Sequence, residues 1–280
     1  MNMNHLICPI CHTPLRLSVN GRSFICKKDM KPHCFDLASA GYVNLDRGHS
    51  GGGDSKECVK SRSAFLNLGH YAPISSKINE LAQCYSSEPE IILDAGCGEG
   101  YYTASLAREM PAAGVIGIDI SKPAIEHAAK NAKRNNIENL FYAVSSIFEL
   151  PFSDESIDCI TNIFAPCPEE EFGRVLKIGG VLIIAAAGKK HLMGLKKVLY
   201  ESVYMNEVRA DLPSSAGLTP IDKTTLSYVI NLSSSEEIEN LFSMTPYYYR
   251  TSLSDKAKLA SLTSLETEVE IEFSVYRKNG

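Results

Sequence analysis

Two sets of residues in this chain have the types and spacing that a chemical site requires. The first is Cys8-Pro9-Ile10-Cys11, followed after fourteen intervening residues by Cys26 and then by His33 and Cys34. A C-x2-C turn aims two thiolates at one point, and four soft or borderline ligands suit a closed, tetrahedral, structural zinc. Cys8, Cys11 and Cys26 supply three ligands; His33 or the adjacent Cys34 supplies the fourth. A redox role for the Cys8–Cys11 pair would need a thioredoxin-like strand–helix context, and none surrounds it. Cys84, Cys97 and Cys159 read as scattered buried thiols.

The second set is Asp94-Ala95-Gly96-Cys97-Gly98-Glu99-Gly100, with Asp119 nineteen residues after Gly100. A glycine turn between a strand and a helix brings backbone N–H groups and the positive helix end to a ligand, and side chains there would block its approach. An acid ending the next strand can accept both hydroxyls of a ribose. Dinucleotide cofactors call for G-x-G-x-x-G, whereas Tyr101 stands where the third glycine would fall.

Positioning these groups requires alternating strands and helices. Apolar runs at 91–94, 115–119, 140–144, 157–162 and 181–186 predict five strands. Between them fall a helix from about Tyr102 and another capped by Ser121 with Pro123 in its first turn. Near the C-terminus Val269, Ile271, Phe273 and Val275 alternate with polar residues, the pattern of an antiparallel strand. The fold class is therefore α/β, a doubly wound sheet with an antiparallel C-terminal strand. Upstream, Leu15–Val19 and Ser23–Cys26 flank Asn20-Gly21 as a hairpin. Residues 46–56, with Gly48 and Gly51-Gly52-Gly53, read as a flexible linker, and a helical stretch from Ser61 to Cys84 is split by Pro73. Three units are expected: a small zinc-binding β module at 1–45, a linker and helical connector at 46–89, and the α/β domain at 90–280. Deleting 1–45 is expected to spare cofactor binding, unless the module is a folding cap.

The 280 residues are 44% hydrophobic with mean hydropathy −0.08, ordinary for a globular protein, and no apolar run approaches a membrane span. Met1–His5 lacks a basic stretch leading into an apolar one, so a cytoplasmic location is expected. A net charge of −5 argues against coating nucleic acid through bulk charge. The charge is uneven, however: +4 over residues 1–63 against −9 over the rest, a basic accessory module on an acidic body.

The D-x-G-x-G-x-G loop resembles the first motif of class I S-adenosylmethionine-dependent methyltransferases, which have a Rossmann-like fold. Leu150-Pro151-Phe152 and Lys177-Ile178-Gly179-Gly180 fall where that class places them. Gly41–Leu45, Gly53-Asp54-Ser55, Arg62–Pro73, Leu93–Thr103, Ala165-Pro166-Cys167, His191–Lys196 and Met244-Thr245-Pro246 together resemble the family of 23S rRNA guanine-N1 methyltransferases. The resemblance implies methyl transfer to N1 of one guanine in a hairpin loop of 23S rRNA, a mark that contributes to macrolide resistance in some members. It also implies an N-terminal zinc module that helps hold RNA, and cofactor contacts at Tyr71, Gly98, Glu99 and His191. The residue argument adds Asp94, Gly96 and Asp119. Family members usually place the zinc histidine about four residues after the third cysteine. Here Cys26 to His33 is seven, so an insertion precedes the ligand or Cys34 replaces it. Expected partners are 23S rRNA and, as a candidate, a second copy of the chain, with no membrane.

Guanine N1 carries a proton that must leave before it can attack a methyl group. The end of the fourth strand offers Asn162-Ile163-Phe164 and no carboxylate. Asn162 is a candidate for the guanine edge, Phe164 for stacking, and His191 or Glu99 for the base. Lys189, Lys190, Lys196 and Lys197 are candidates for phosphate contacts, and Tyr247-Tyr248-Tyr249 for stacking or core. Two other readings remain: a small-molecule methyltransferase with a structural zinc knuckle, and a non-catalytic RNA-binding protein.

Overall fold

The computed structural model describes residues 5–27, 31–48, 53–207, 212 and 217–280. Lys28 and Gly51-Gly52 lie outside them. The N-terminal module folds as three short strands, β1 (Leu15–Leu17), β2 (Ser23–Cys26) and β3 (Cys34–Asp36), in one antiparallel sheet. The Asn20-Gly21 turn joins the first two as expected, with Gly21 at φ +68°. β4 (Tyr42–Asn44) follows, and then two helices, α1 (Lys56–Asn67) and α2 (Ala72–Tyr85). Ser55 caps the first helix by accepting from the Cys58 amide, and Pro73 opens the second.

The body then alternates: β5 (Ile91–Ala95), α3 (Tyr101–Glu109), β6 (Gly114–Asp119), α4 (Lys122–Arg134), β7 (Leu140–Val144), β8 (Ile157–Ile163), α5 (Glu169–Val175) and β9 (Leu176–Ala187). It closes with α6 (Met193–Leu199), β10 (Leu218–Leu232), α7 (Ser235–Ser243), α8 (Leu253–Ala260) and β11 (Leu265–Lys278). The eight-stranded sheet runs β10-β11-β9-β8-β5-β6-β7-β4. β4 to β9 pair in parallel, and β11 joins β9 and β10 antiparallel. All five residues of β5 are buried, as a central parallel strand requires. Strand order reverses between β5 and β8, which opens a crevice at their carboxyl ends.

Two features go beyond the sequence reading. β10 was not expected; it is an edge strand whose alternating face pairs with β11 along fourteen positions. The N-terminal module is also docked rather than tethered. β4 is the eighth strand of the large sheet, and Leu6, Leu15 and Phe24 share one apolar cluster with Ile91, Leu93, Ile116 and Phe152. The Ile7 amide donates to the Pro151 carbonyl at 2.9 Å, and the Phe24 and Phe141 ring centroids lie 5.9 Å apart. A cut at residue 45 therefore removes an edge strand and uncovers core.

Candidate cofactor pocket and zinc site

Cys8, Cys11, Cys26 and His33 bring one ligand atom each to within 4.8 Å of one another. His33 Nδ1 lies 3.4 Å from Cys8 Sγ and 3.5 Å from Cys26 Sγ. Those edges match a tetrahedron built from Zn–S bonds of about 2.3 Å and Zn–N bonds of about 2.0–2.1 Å. Cys34 is exposed and turns toward Asp36, 3.9 Å away, so the geometry selects His33. The seven-residue spacing is taken up between β2 and β3, and the His33 amide donates to Cys26 Sγ at 3.0 Å. A His33→Ala protein should lose its stoichiometric zinc, read by metal analysis, whereas Cys34→Ala should retain it.

A cavity of about 1410 Å³ opens at the carboxyl ends of β5, β6 and β8. The glycine loop forms its wall because the chain there must turn from strand to helix against its neighbours. Gly96 sits at φ +83°, and a Cβ would come 2.6 Å from Ala165 Cβ; Gly100 caps α3 at φ +84° against the Tyr142 hydroxyl. The Gly96 and Cys97 amides donate to the Ile118 carbonyl, tying the loop to β6. Asp94 is buried beneath the loop and accepts from Thr103 Oγ1 at 2.6 Å and Thr161 Oγ1 at 3.0 Å. Asp119 ends β6, accepting the Ser121 amide on Oδ1 at 2.7 Å and the Gly98 amide on Oδ2 at 3.0 Å. One lone pair on each oxygen is thus committed to shaping the loop.

Three carboxylates converge here, and burial raises all three. Asp94 is pushed up to about 6, Glu99 to about 7 despite Arg62 nearby, and Asp119 above its ordinary range despite its two amide bonds. A concave site with such carboxylates suits a ligand that carries positive charge, as a sulfonium amino acid does. The Tyr102 hydroxyl, buried on the same wall without a partner among the described residues, is a further vacant polar contact. For Glu99 the sign of the pH dependence follows directly. The unfolded side chain releases its proton near 4.5 and the folded one near 7, so between them the folded state holds more protons and stability falls as pH rises. Glu99→Gln should gain thermal stability relative to wild type across that window in cofactor-free protein, read by pH-resolved melting.

Sequence reasoning passed over the opposite rim. Arg62 of α1 pairs with Asp54 and lies 3.8 Å from Glu99. Asp54 is fixed in turn by Ser121 Oγ, which donates to its carbonyl at 2.8 Å. Both residues sit inside motifs quoted for the resemblance, but only the fold shows that α1 and residues 53–54 reach the pocket.

On the far side Tyr71, buried, packs edge-on against Phe65 at 5.2 Å, with Phe164 at 6.4 Å and His191 at 6.3 Å. Phe164 holds φ +53°, unusual for a bulky residue, and stacks on His191 at 6.1 Å while remaining 44% exposed. His191 is buried, which pushes it down to about 4, and its Nδ1 accepts the Glu270 amide at 3.3 Å. The ring is neutral with its proton on Nε2, a donor, and so is unsuited to act as a base.

Asn162 departs from its expected role. It is fully buried, and its amide donates to the Ala95 carbonyl at 3.1 Å and the Pro166 carbonyl at 2.9 Å, holding the turn after β8 rather than meeting a base. Lys196 departs likewise: it is fully buried, while Lys189, Lys190 and Lys197 remain exposed. Of the tyrosine run, Tyr247 lines the cavity, Tyr248 packs on Phe242 and Tyr249 is exposed.

Comparison with known proteins agrees with this geometry. A family model described as "Methyltransferase domain" matches residues 86–241, and one described as "RlmA, N-terminal", a zinc ribbon, matches residues 6–45. The chain is 33% identical to the 23S rRNA (guanine(748)-N(1))-methyltransferase of Streptomyces fradiae, over 70% of this chain and 68% of that protein. It is 30% identical to a protein of Bacillus subtilis, provisionally named 23S rRNA (guanine-N(1)-)-methyltransferase YxjB, over 97% and 96% of the two chains. The crystal structure of the YcgJ protein from Bacillus subtilis shares the fold, with a TM-score of 0.52 and 16% identity over 74% of this chain and 98% of that one. With a zinc ribbon matched ahead of a methyltransferase domain and full-length similarity to named relatives, the chain belongs to the 23S rRNA (guanine-N1)-methyltransferase family as an S-adenosylmethionine-dependent enzyme behind a zinc ribbon.

Proposed function

We propose that this protein transfers the methyl group of S-adenosylmethionine to N1 of one guanine in a hairpin loop of 23S rRNA, in the cytoplasm. The carrying observation is full-length similarity, zinc ribbon included, to a protein named for that activity. The site supports it. Exposed Phe148 and Phe164 line the mouth of the cavity together with Tyr204, a rim that suits an unstacked base better than a small polar metabolite. Arg16, Arg22, Lys27 and Lys31 are exposed on the ribbon and suit phosphate contacts.

When bound, the cofactor supplies an electrophilic methyl group that needs no activation. Asp119 and Gly98 would hold its ribose end, and Glu99, Asp94, Gly96 and Tyr71 its charged amino-acid end, with His191 offering Nε2–H. Phe164 would present a flat face to the flipped guanine. Incubating the protein with methyl-labelled cofactor and either 23S rRNA hairpin fragments or pooled small metabolites tests the reading. Label should enter the RNA as 1-methylguanine. Label confined to metabolites would overturn it.

A further inference from the structure

One carboxylate of the cavity is left unanswered among the described residues. Asp54 is paired with Arg62, Asp94 accepts two threonine hydroxyls, Asp119 accepts two amides, and Glu99 lies beside Arg62. All four stand at the glycine-loop end. Glu207 also lines the cavity, is exposed, and has no hydrogen bond or ion pair among the described residues.

The residue before it is held with unusual force. Asn206 Oδ1 accepts from Lys196 Nζ at 2.6 Å and from the Tyr247 hydroxyl at 3.1 Å. Its Nδ2 donates to the Gly188 carbonyl at 2.8 Å and the His191 carbonyl at 3.2 Å, and its backbone amide donates to the Lys189 carbonyl at 3.0 Å. Lys196 is fully buried without a carboxylate partner among the described residues, its ammonium 4.3 Å from the Tyr204 ring centroid and bonded to the Tyr204 carbonyl at 3.0 Å. Burying a lysine this way is costly. What the arrangement achieves is to pin residues 204–207 to the wall that carries His191, on the base-binding side of the cavity.

We propose that Glu207 is the catalytic base, accepting the N1 proton of the target guanine; the assignment rests on the guanine-N1 reading above. Guanine offers two parallel donors on its Watson–Crick edge, N1–H and the N2 amino group, and a carboxylate offers two acceptors to match. Adenine presents a lone pair at N1 and is repelled by the same group. The step balances. The N1 proton passes to Glu207, the N1 electron pair forms the new N–C bond, and the C–S bond of the sulfonium breaks with sulfur keeping the pair. The proton then leaves the exposed side chain for water. Among the described residues, the other charged or titratable groups on this side are Arg250, Tyr204, Tyr247, His191 and the buried Lys196 that holds Asn206, and His191 is neutral in the working pH range.

Glu207→Gln keeps the shape and one acceptor but cannot take a proton. Its kcat on an rRNA fragment should fall about 100-fold or more. Affinities for cofactor and RNA, measured by calorimetry and by fluorescence, should stay nearly unchanged. The pH profile of kcat should differ between wild type and variant, the variant gaining rate only in the alkaline range, where the guanine proton leaves unaided. Glu207→Asp should recover part of the rate. An active wild type with an equally active Glu207→Gln, or with an unaltered pH profile in the variant, overturns the assignment of Glu207. A wild type that methylates no guanine N1 overturns the functional reading beneath it.

Discussion

A protein cut to residues 46–280 should fail to fold and should bind no cofactor. Truncation removes Leu6, Leu15, Phe24, Val43 and Leu45, each nearly or fully buried in the cluster that also contains Ile91, Leu93 and Ile116 of the central strands. At roughly 2 kcal/mol for each buried side chain, their packing contributes on the order of 10 kcal/mol. That is comparable to the net stability of about 5–15 kcal/mol of a whole domain. Loss of β4 also leaves the β7 edge unpaired, exposing a row of backbone groups to aggregation. The pocket suffers in addition, because β4 delivers the chain toward Asp54, which braces Arg62 and Ser121. Expression solubility and calorimetric titration with the cofactor provide the check. A soluble truncated protein with unchanged affinity would show that the ribbon is an independent accessory.

Replacing Asp119 with alanine should weaken cofactor binding by about 1.5–3 kcal/mol, the worth of a hydrogen bond to a charged group. The fold gives the residue two roles. Its carboxylate holds the Gly98 and Ser121 amides, and it lines the cavity, where a ribose would meet its remaining acceptor capacity. Melting temperature should shift far less than affinity, because Ser121 still caps α4 through its hydroxyl. Equal affinities in wild type and variant, by calorimetry, would place the ribose elsewhere.

The parts legible in the sequence are those whose physics is local. Buried parallel strands are continuous apolar runs, so Ile91–Asp94 and Val115–Asp119 could be placed within a residue, and with them the loop and its two acids. Cys8, Cys11 and Cys26 were legible from spacing alone, whereas the choice of His33 over Cys34 needed coordinates, because the two are neighbours in the chain and only the fold shows His33 meeting Cys8 and Cys26 while Cys34 is exposed. What escaped depends on contacts far apart in the chain. Asn162 sits at a strand end, as a substrate-binding group would, yet its amide serves two carbonyls. Lys196 belongs to a lysine-rich helix that reads as solvated, yet it is turned inward by Tyr204 and Asn206. Glu207 lies in an irregular segment with no periodicity to mark it, and only the fold, which sets residues 204–207 on the cavity wall, brings it to notice.

The central claim is methylation of N1 of a single guanine in 23S rRNA, and mass mapping of rRNA from cells with and without the protein tests it most directly. The account predicts one 1-methylguanine in a hairpin loop of 23S rRNA that disappears when the protein is removed and returns when it is restored. An identical modification map in the two strains would contradict it.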